Sequence, residues 1–113
     1  MRILVVEDDA LIALDVETML SGMGHSVLGI AATSADARTM LDRATPDLVL
    51  LDINLGHGPD FDLARLLHGL AVPFVFTSGY AVADTLPDGL RGVPCLDKPF
   101  SHEALARLLE PAR

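Results

Sequence analysis

A chain of 113 residues, half of them hydrophobic but only 4% aromatic, is expected to form one domain spanning 1–113, with a core of Leu, Val, Ile and Ala. Eight Lys and Arg against 16 Asp and Glu give a net charge of -8, which opposes direct binding to a nucleic-acid phosphate backbone. The single Cys95 excludes an internal disulfide, and the opening MRILVVEDDA meets three acids too early for a signal peptide or a membrane span. The expectation is a cytoplasmic protein with no membrane partner.

Taken in order, Ile3 to Val6 is a short β-branched and leucine run that ends in Glu7, Asp8 and Asp9. From Asp9 to Gly22 the residues Leu11, Ile12, Leu14, Val16, Met19 and Leu20 recur mostly at helical spacing, and Gly22 and Gly24 are stop signals. Asp9 reads as the cap of that helix. Ser26 to Ala32 predicts a second strand, and Ser34 to Ala44 a second helix, capped by Thr33 or Ser34 and ended by Pro46.

The stretch DLVLLDIN, Asp47 to Asn54, runs four Leu and Val residues straight into Asp52. A continuous apolar run of this length reads as a central parallel strand covered on both faces. A helix from about Asp60 to His68 follows, then a fourth strand from Phe74 to Ser78 after Pro73. Gly79 to Gly92 holds three glycines and a proline, so at best a short helix fits around Ala83 to Leu86, and Ala81 to Gly92 is expected to be mobile. Val93 to Asp97 is the fifth strand, followed by Lys98, Pro99 and Phe100, and Ser101 caps a last helix reaching about Glu110.

Strands alternating with helices predict an α/β fold, a doubly wound five-stranded parallel sheet of flavodoxin-like order 2-1-3-4-5 with a short or irregular fourth helix. In that order the first and third strands are neighbours at the switch point, and the carboxylates at their ends converge. Three acids in one crevice repel unless a cation compensates them, and a hard ion with oxygen ligands, Mg²⁺, suits them. A cation, an aspartate, a hydroxyl and a lysine together suit phosphoryl transfer, with Asp52 as the nucleophile.

An acidic pair after strand 1, an aspartate ending strand 3, a Ser ending strand 4 and Lys-Pro after strand 5 occur here in order. With them the whole chain resembles the receiver domain of two-component response regulators, of the chemotaxis-regulator kind. The resemblance implies that Glu7 and Asp8 hold Mg²⁺ together with Asp52 and the backbone carbonyl of Asn54. It implies that Asp52 accepts a phosphoryl group, that Ser78 and Lys98 contact it, and that the Lys98-Pro99 bond is cis. Ser78 is preferred over the adjacent Thr77 because Gly79 follows it and only one of the two faces the crevice. The implied partners are a histidine kinase or histidine phosphotransferase and a downstream protein target. The chain would then be a phosphoacceptor rather than an enzyme, able at most to catalyse its own phosphorylation and dephosphorylation.

Two departures from the family pattern stand out. Cys95 occupies the usual place of an aromatic switch residue, and the loop LGHGPDF lacks the proline common soon after the phosphoacceptor. The run Phe76-Thr77-Ser78-Gly79-Tyr80 is similar to an FxTGY-like motif of a receiver subgroup that is often single-domain, and Tyr80, the sole tyrosine, is the candidate partner of Ser78 in a switch. Rival functions are an aspartyl-phosphate phosphohydrolase, a flavin-binding electron carrier, and a receiver that is a fragment of a larger regulator. The first would need an acid where Asn54 stands, and the second a phosphate-cradling loop where the first strand ends in acids. His25, His68 and His102 read as surface or packing residues, His57 as a weak ligand candidate, and Cys95, Met19, Met23 and Met40 as core filler.

Overall fold

Leu48, Val49, Leu50 and Leu51 are all buried, so the strand they form has no solvent face and must lie inside a sheet covered on both sides. A computed structural model describes residues 1–53, 55, 61–78, 86–98 and 101–109. Among them are five strands, β1 (Arg2–Val6), β2 (Ser26–Ala31), β3 (Leu48–Asp52), β4 (Phe74–Ser78) and β5 (Cys95–Asp97). Four helices complete the described elements: α1 (Ala10–Gly22), α2 (Ser34–Arg43), α3 (Asp62–Gly69) and α4 (His102–Leu108). The sheet is parallel throughout, in the order β2-β1-β3-β4-β5 that the alternation predicts.

Alternation along the strands divides the core in two. Leu4, Val6, Val49, Leu51, Phe74 and Phe76 face α2 and α3, where Ala37, Leu63, Ala64 and Leu67 meet them. Phe76 stands edge-on to Phe74 and Phe61, with ring centroids 5.5 and 6.0 Å apart. Ile3, Val5, Leu48, Leu50 and Val75 face the other way, toward Val16 and Leu20 of α1 and Leu105 of α4. Met40 packs on the first cluster, and Met19 and Met23 on the second, as gap fillers.

The helix ends follow from local chemistry. Asp9 caps α1, accepting from the N–H groups of Leu11 and Ile12, while Thr33 rather than Ser34 caps α2 and Ser101 caps α4. At the other end of α1, Gly24 takes φ +89°, and the N–H groups of Gly24 and His25 close back onto the carbonyls of Ser21 and Leu20. The end of α3 repeats that motif, with Ala71 at φ 56° and with Ala71 and Val72 bonding back to His68 and Leu67. In β2 the register slips between Val27 and Gly29, and Gly29 lies so close to α2 that a Cβ there would meet Met40 Sδ at 3.0 Å.

Three expectations are modified. Leu11 and Leu14 point outward, 76% and 55% exposed, because the apolar residues of α1 exceed the one face that Ala13, Val16 and Leu20 bury. The fifth strand is shorter than 93–97, because Val93 N–H turns back to Leu90 and Pro94 has no N–H to donate. In the segment expected to be mobile, Leu86 and Leu90 are buried in the core, which anchors its described part. Most of the short helix expected around Ala83 lies outside the described residues.

Candidate functional site

The site is assembled by strand register. Val6 of β1 pairs with Leu51 of β3, so Glu7, the next residue, lies level with Asp52. Pairing continues through Glu7, whose N–H donates to Ala31 on β2 at 2.9 Å. Asp52 in turn pairs with Thr77 of β4, and Ser78 pairs with Asp97 of β5, immediately before Lys98. Each strand is held by the apolar row beneath it, and each presents its first polar residue at the carboxyl edge of the sheet. That edge is where open parallel sheets bind ligands.

Carboxylate oxygens of Glu7, Asp8 and Asp52 all lie within 4.8 Å of one another. Glu7 and Asp52 are each 4% exposed, whereas Asp8 is open to solvent. Lys98 reaches in from the end of β5: its Nζ donates to Glu7 Oε1 and stands 3.1 Å from Asp52 Oδ2. The second Glu7 oxygen accepts from the Asp9 N–H at 3.1 Å, so the residue that caps α1 through its side chain also fixes Glu7 through its backbone.

One ammonium faces three carboxylates, and the imbalance shows in Glu7. Burial pushes its carboxyl up to about 6 from 4.5, helped by the neighbouring Asp52 and opposed by Lys98 and the Asp9 N–H. Burial works against the charge on Lys98 too, but the hydrogen bond to Glu7 and the Asp52 carboxylate outweigh it, so its pKa is raised and it stays cationic. Three converging oxygen donors with a solvent-facing side, and more negative charge than one lysine balances, fit a hard divalent cation that keeps some of its water. Glu7, Asp8 and Asp52 could hold such an ion.

Of the residues singled out from the sequence, Glu7, Asp8, Asp52 and Lys98 are therefore brought together. Ser78 is fully buried at the end of β4, and its carbonyl accepts from the Lys98 N–H at 2.5 Å. Asn54, His57, Tyr80 and Pro99, with the Lys98-Pro99 bond, lie outside the described residues. Cys95 packs against the core beside Phe76, and burial, then Asp97, raises its thiol pKa. Thr77, which the sequence reading set behind Ser78, is in register with Asp52 and 5% exposed. It lies two residues after the core residue Val75, on the same face of β4.

A sequence profile of the response regulator receiver domain matches residues 3–110. The chain belongs to that family. It is similar to the phyllosphere-induced regulator PhyR of Methylorubrum extorquens, with 33% identity over 116 residues covering 98% of this chain and 43% of that protein. Among solved structures, SdrG from Sphingomonas melonis Fr1 superposes with a TM-score of 0.83 at 33% identity, covering 96% of this receiver chain and 92% of that one. The anti-anti-sigma factor PhyR from Bartonella quintana superposes with a TM-score of 0.79 at 32% identity, covering 96% of this chain and 45% of that one. This receiver thus spans less than half the length of the PhyR proteins it matches. No helix among its described residues is long and apolar enough to cross a membrane.

Proposed function

We propose that this receiver is a phosphoacceptor signalling module in which Asp52 takes a phosphoryl group from a phosphohistidine on a histidine kinase or phosphotransferase. The observation that carries the reading is the meeting of Glu7, Asp8 and Asp52 within 4.8 Å at the sheet edge, with Lys98 between Glu7 and Asp52. A carboxylate oxygen of Asp52 bonds to phosphorus as the P–N bond to the donor imidazole breaks, and the imidazole keeps the electron pair and takes up a proton. Glu7, Asp8, Asp52 and the Asn54 carbonyl would hold Mg²⁺, which when bound neutralises charge on the phosphoryl oxygens. Lys98, already cationic beside Asp52, would swing from the carboxylates onto a phosphoryl oxygen, and Ser78 would donate to another. The phosphoryl group stays on Asp52 while a partner reads it and leaves as inorganic phosphate when water attacks the phosphorus and frees the carboxylate, so the protein acts as a phosphoacceptor in signalling rather than as an enzyme with an external substrate.

Phosphorylation is read by a protein partner. Ser78, drawn toward the phosphoryl group, would pull on Tyr80 two residues on, so that the ring changes the face presented to that partner. The net charge of -8 argues against direct nucleic-acid contact, and a cytoplasmic location is part of the same reading. The likeness to PhyR, named an anti-anti-sigma factor in one relative, makes a protein-sequestering pathway the natural setting. Incubation with a small phosphodonor and Mg²⁺, followed by mass spectrometry, tests the reading. One added phosphoryl on Asp52, absent from Asp52→Asn, is expected, and unchanged labelling of Asp52→Asn would sink it.

A further inference from the structure

Glu7 is tied at both carboxylate oxygens, and the two ties differ in what holds them. Lys98 Nζ donates to Oε1 from the end of a long side chain, whereas the N–H that donates to Oε2 at 3.1 Å belongs to the backbone of Asp9. That backbone is itself fixed. Asp9 is the N-cap of α1, extended at φ -85° and ψ 111°, and its Oδ1 accepts from the N–H groups of Leu11 at 3.0 Å and Ile12 at 3.3 Å. The N–H that reaches Glu7 lies in the peptide unit joining Asp8 to Asp9. One clamp therefore sets both the orientation of the Glu7 carboxylate and the backbone from which Asp8 projects, and these are two of the three carboxylates that converge within 4.8 Å.

We infer that Asp9 is a positioning residue for the metal centre: its side chain, engaged in the α1 cap, holds its own N–H where that group orients Glu7. The inference rests on the proposed cation site. When Lys98 turns toward a phosphoryl oxygen, the Asp9 N–H is the tie to Glu7 that remains among those described. Removing a group that orients a metal ligand from behind typically costs about 10–100-fold in affinity. The coupling is reciprocal: if opening the capped turn weakens cation binding, the cation resists opening of the turn by the same factor. The first turn of α1, which carries the exposed Leu11, thereby responds to the occupancy of the site.

The test compares Asp9→Asn, Asp9→Ser and Asp9→Ala with the wild type in the full chain. All three variants lack the Asp9 charge and alanine alone lacks a capping acceptor, so differences among them isolate the cap. Isothermal calorimetry with Mg²⁺ should show Asp9→Ala binding about tenfold more weakly than Asp9→Asn, and Asp9→Ser within about twofold of Asp9→Asn. Amide hydrogen exchange reads the reciprocal effect. Saturating Mg²⁺ should slow the Leu11 and Ile12 amides of the wild type and Asp9→Asn by about tenfold, and leave unchanged the Asp36 amide, which donates to a cap of the same kind at the start of α2. Equal Mg²⁺ affinity in Asp9→Ala and Asp9→Asn, or exchange at Leu11 and Ile12 that ignores Mg²⁺, would overturn the role of Asp9, while magnesium-dependent labelling of wild-type Asp52 leaves the site itself standing. Failure of the wild type to bind Mg²⁺ would overturn both.

Discussion

Glu7 sets the sharpest prediction. Its carboxyl titrates in the native protein at about 6 against 4.5 in its ordinary state, with burial as the main cause. A raised native pKa means that the folded state binds the proton more tightly than the unfolded chain. Its favourable contribution is therefore complete below pH 4.5 and is lost as the pH rises through 6. At about 1.4 kcal/mol per pKa unit, ionising Glu7 costs the metal-free native state about 2 kcal/mol by pH 7.5. Glu7→Gln, close in shape to the protonated acid, removes that cost. In EDTA at pH 7.5 the variant should exceed the wild type by up to about 2 kcal/mol, or roughly 8 °C in Tm, and the gap should close near pH 5. Saturating Mg²⁺ reverses the order, since an ion at a hundred times its Kd adds about 2.7 kcal/mol to a protein that binds it and little to one that has lost a ligand. Urea unfolding of both proteins at pH 5, 6 and 7.5, with EDTA and with Mg²⁺, measures the difference directly. A gap in EDTA that does not change with pH would refute the reasoning, because titrations elsewhere cancel between the two proteins.

Asp8 is exposed and contributes little to the core, so Asp8→Ala should keep its metal-free stability within about 0.5 kcal/mol while losing most of the Mg²⁺-induced rise in Tm; thermal melts with and without Mg²⁺ check both halves. Ala71, at φ 56° in the motif that Gly24 fills at the end of α1, should accept glycine with a gain of about 0.5–1 kcal/mol, read from the urea midpoint at unchanged slope. Asp9→Ala should cost about 1 kcal/mol through the lost cap and, by releasing the first turn of α1, should also loosen Glu7, seen as a weaker Mg²⁺ shift.

The sheet was legible because its central strand leaves no choice. Leu48 to Leu51 cannot alternate between core and solvent, so β3 must be covered on both faces, and the helical patterns on either side of it in the sequence supply that cover. The site was legible for a related reason: Glu7, Asp8 and Asp52 are the first polar residues after buried runs, and strand order makes such residues neighbours. What the sequence concealed was governed by three-dimensional accident rather than by pattern. The apolar residues of α1 circle most of the helix, so nothing in their spacing says that Leu11 and Leu14 face outward. Glycines between Gly79 and Gly92 suggested slackness, and nothing in their spacing says that Leu86 and Leu90 reach the core. The choice between Thr77 and Ser78 could not be made from alternation alone, because alternation says that the two differ in face without saying which face Asp52 takes.

Thr77 pairs with Asp52, and the two rows on that face differ in character. Val5, Leu50 and Val75 form a row with no polar atom on its side chains, and the next row on the same face, Glu7, Asp52 and Thr77, has a polar group at every position. A single step along three strands separates close-packed core from a cluster of like charges that Lys98 balances only in part. The apolar row below anchors the strands that carry the carboxylates, so the acids are held at separations they would not choose in water. A cation bound between the carboxylates would relieve that repulsion, and such a site would bind metal the more firmly the less its strands can yield. Substitutions that soften the lower row should for that reason weaken the site before they unfold the sheet.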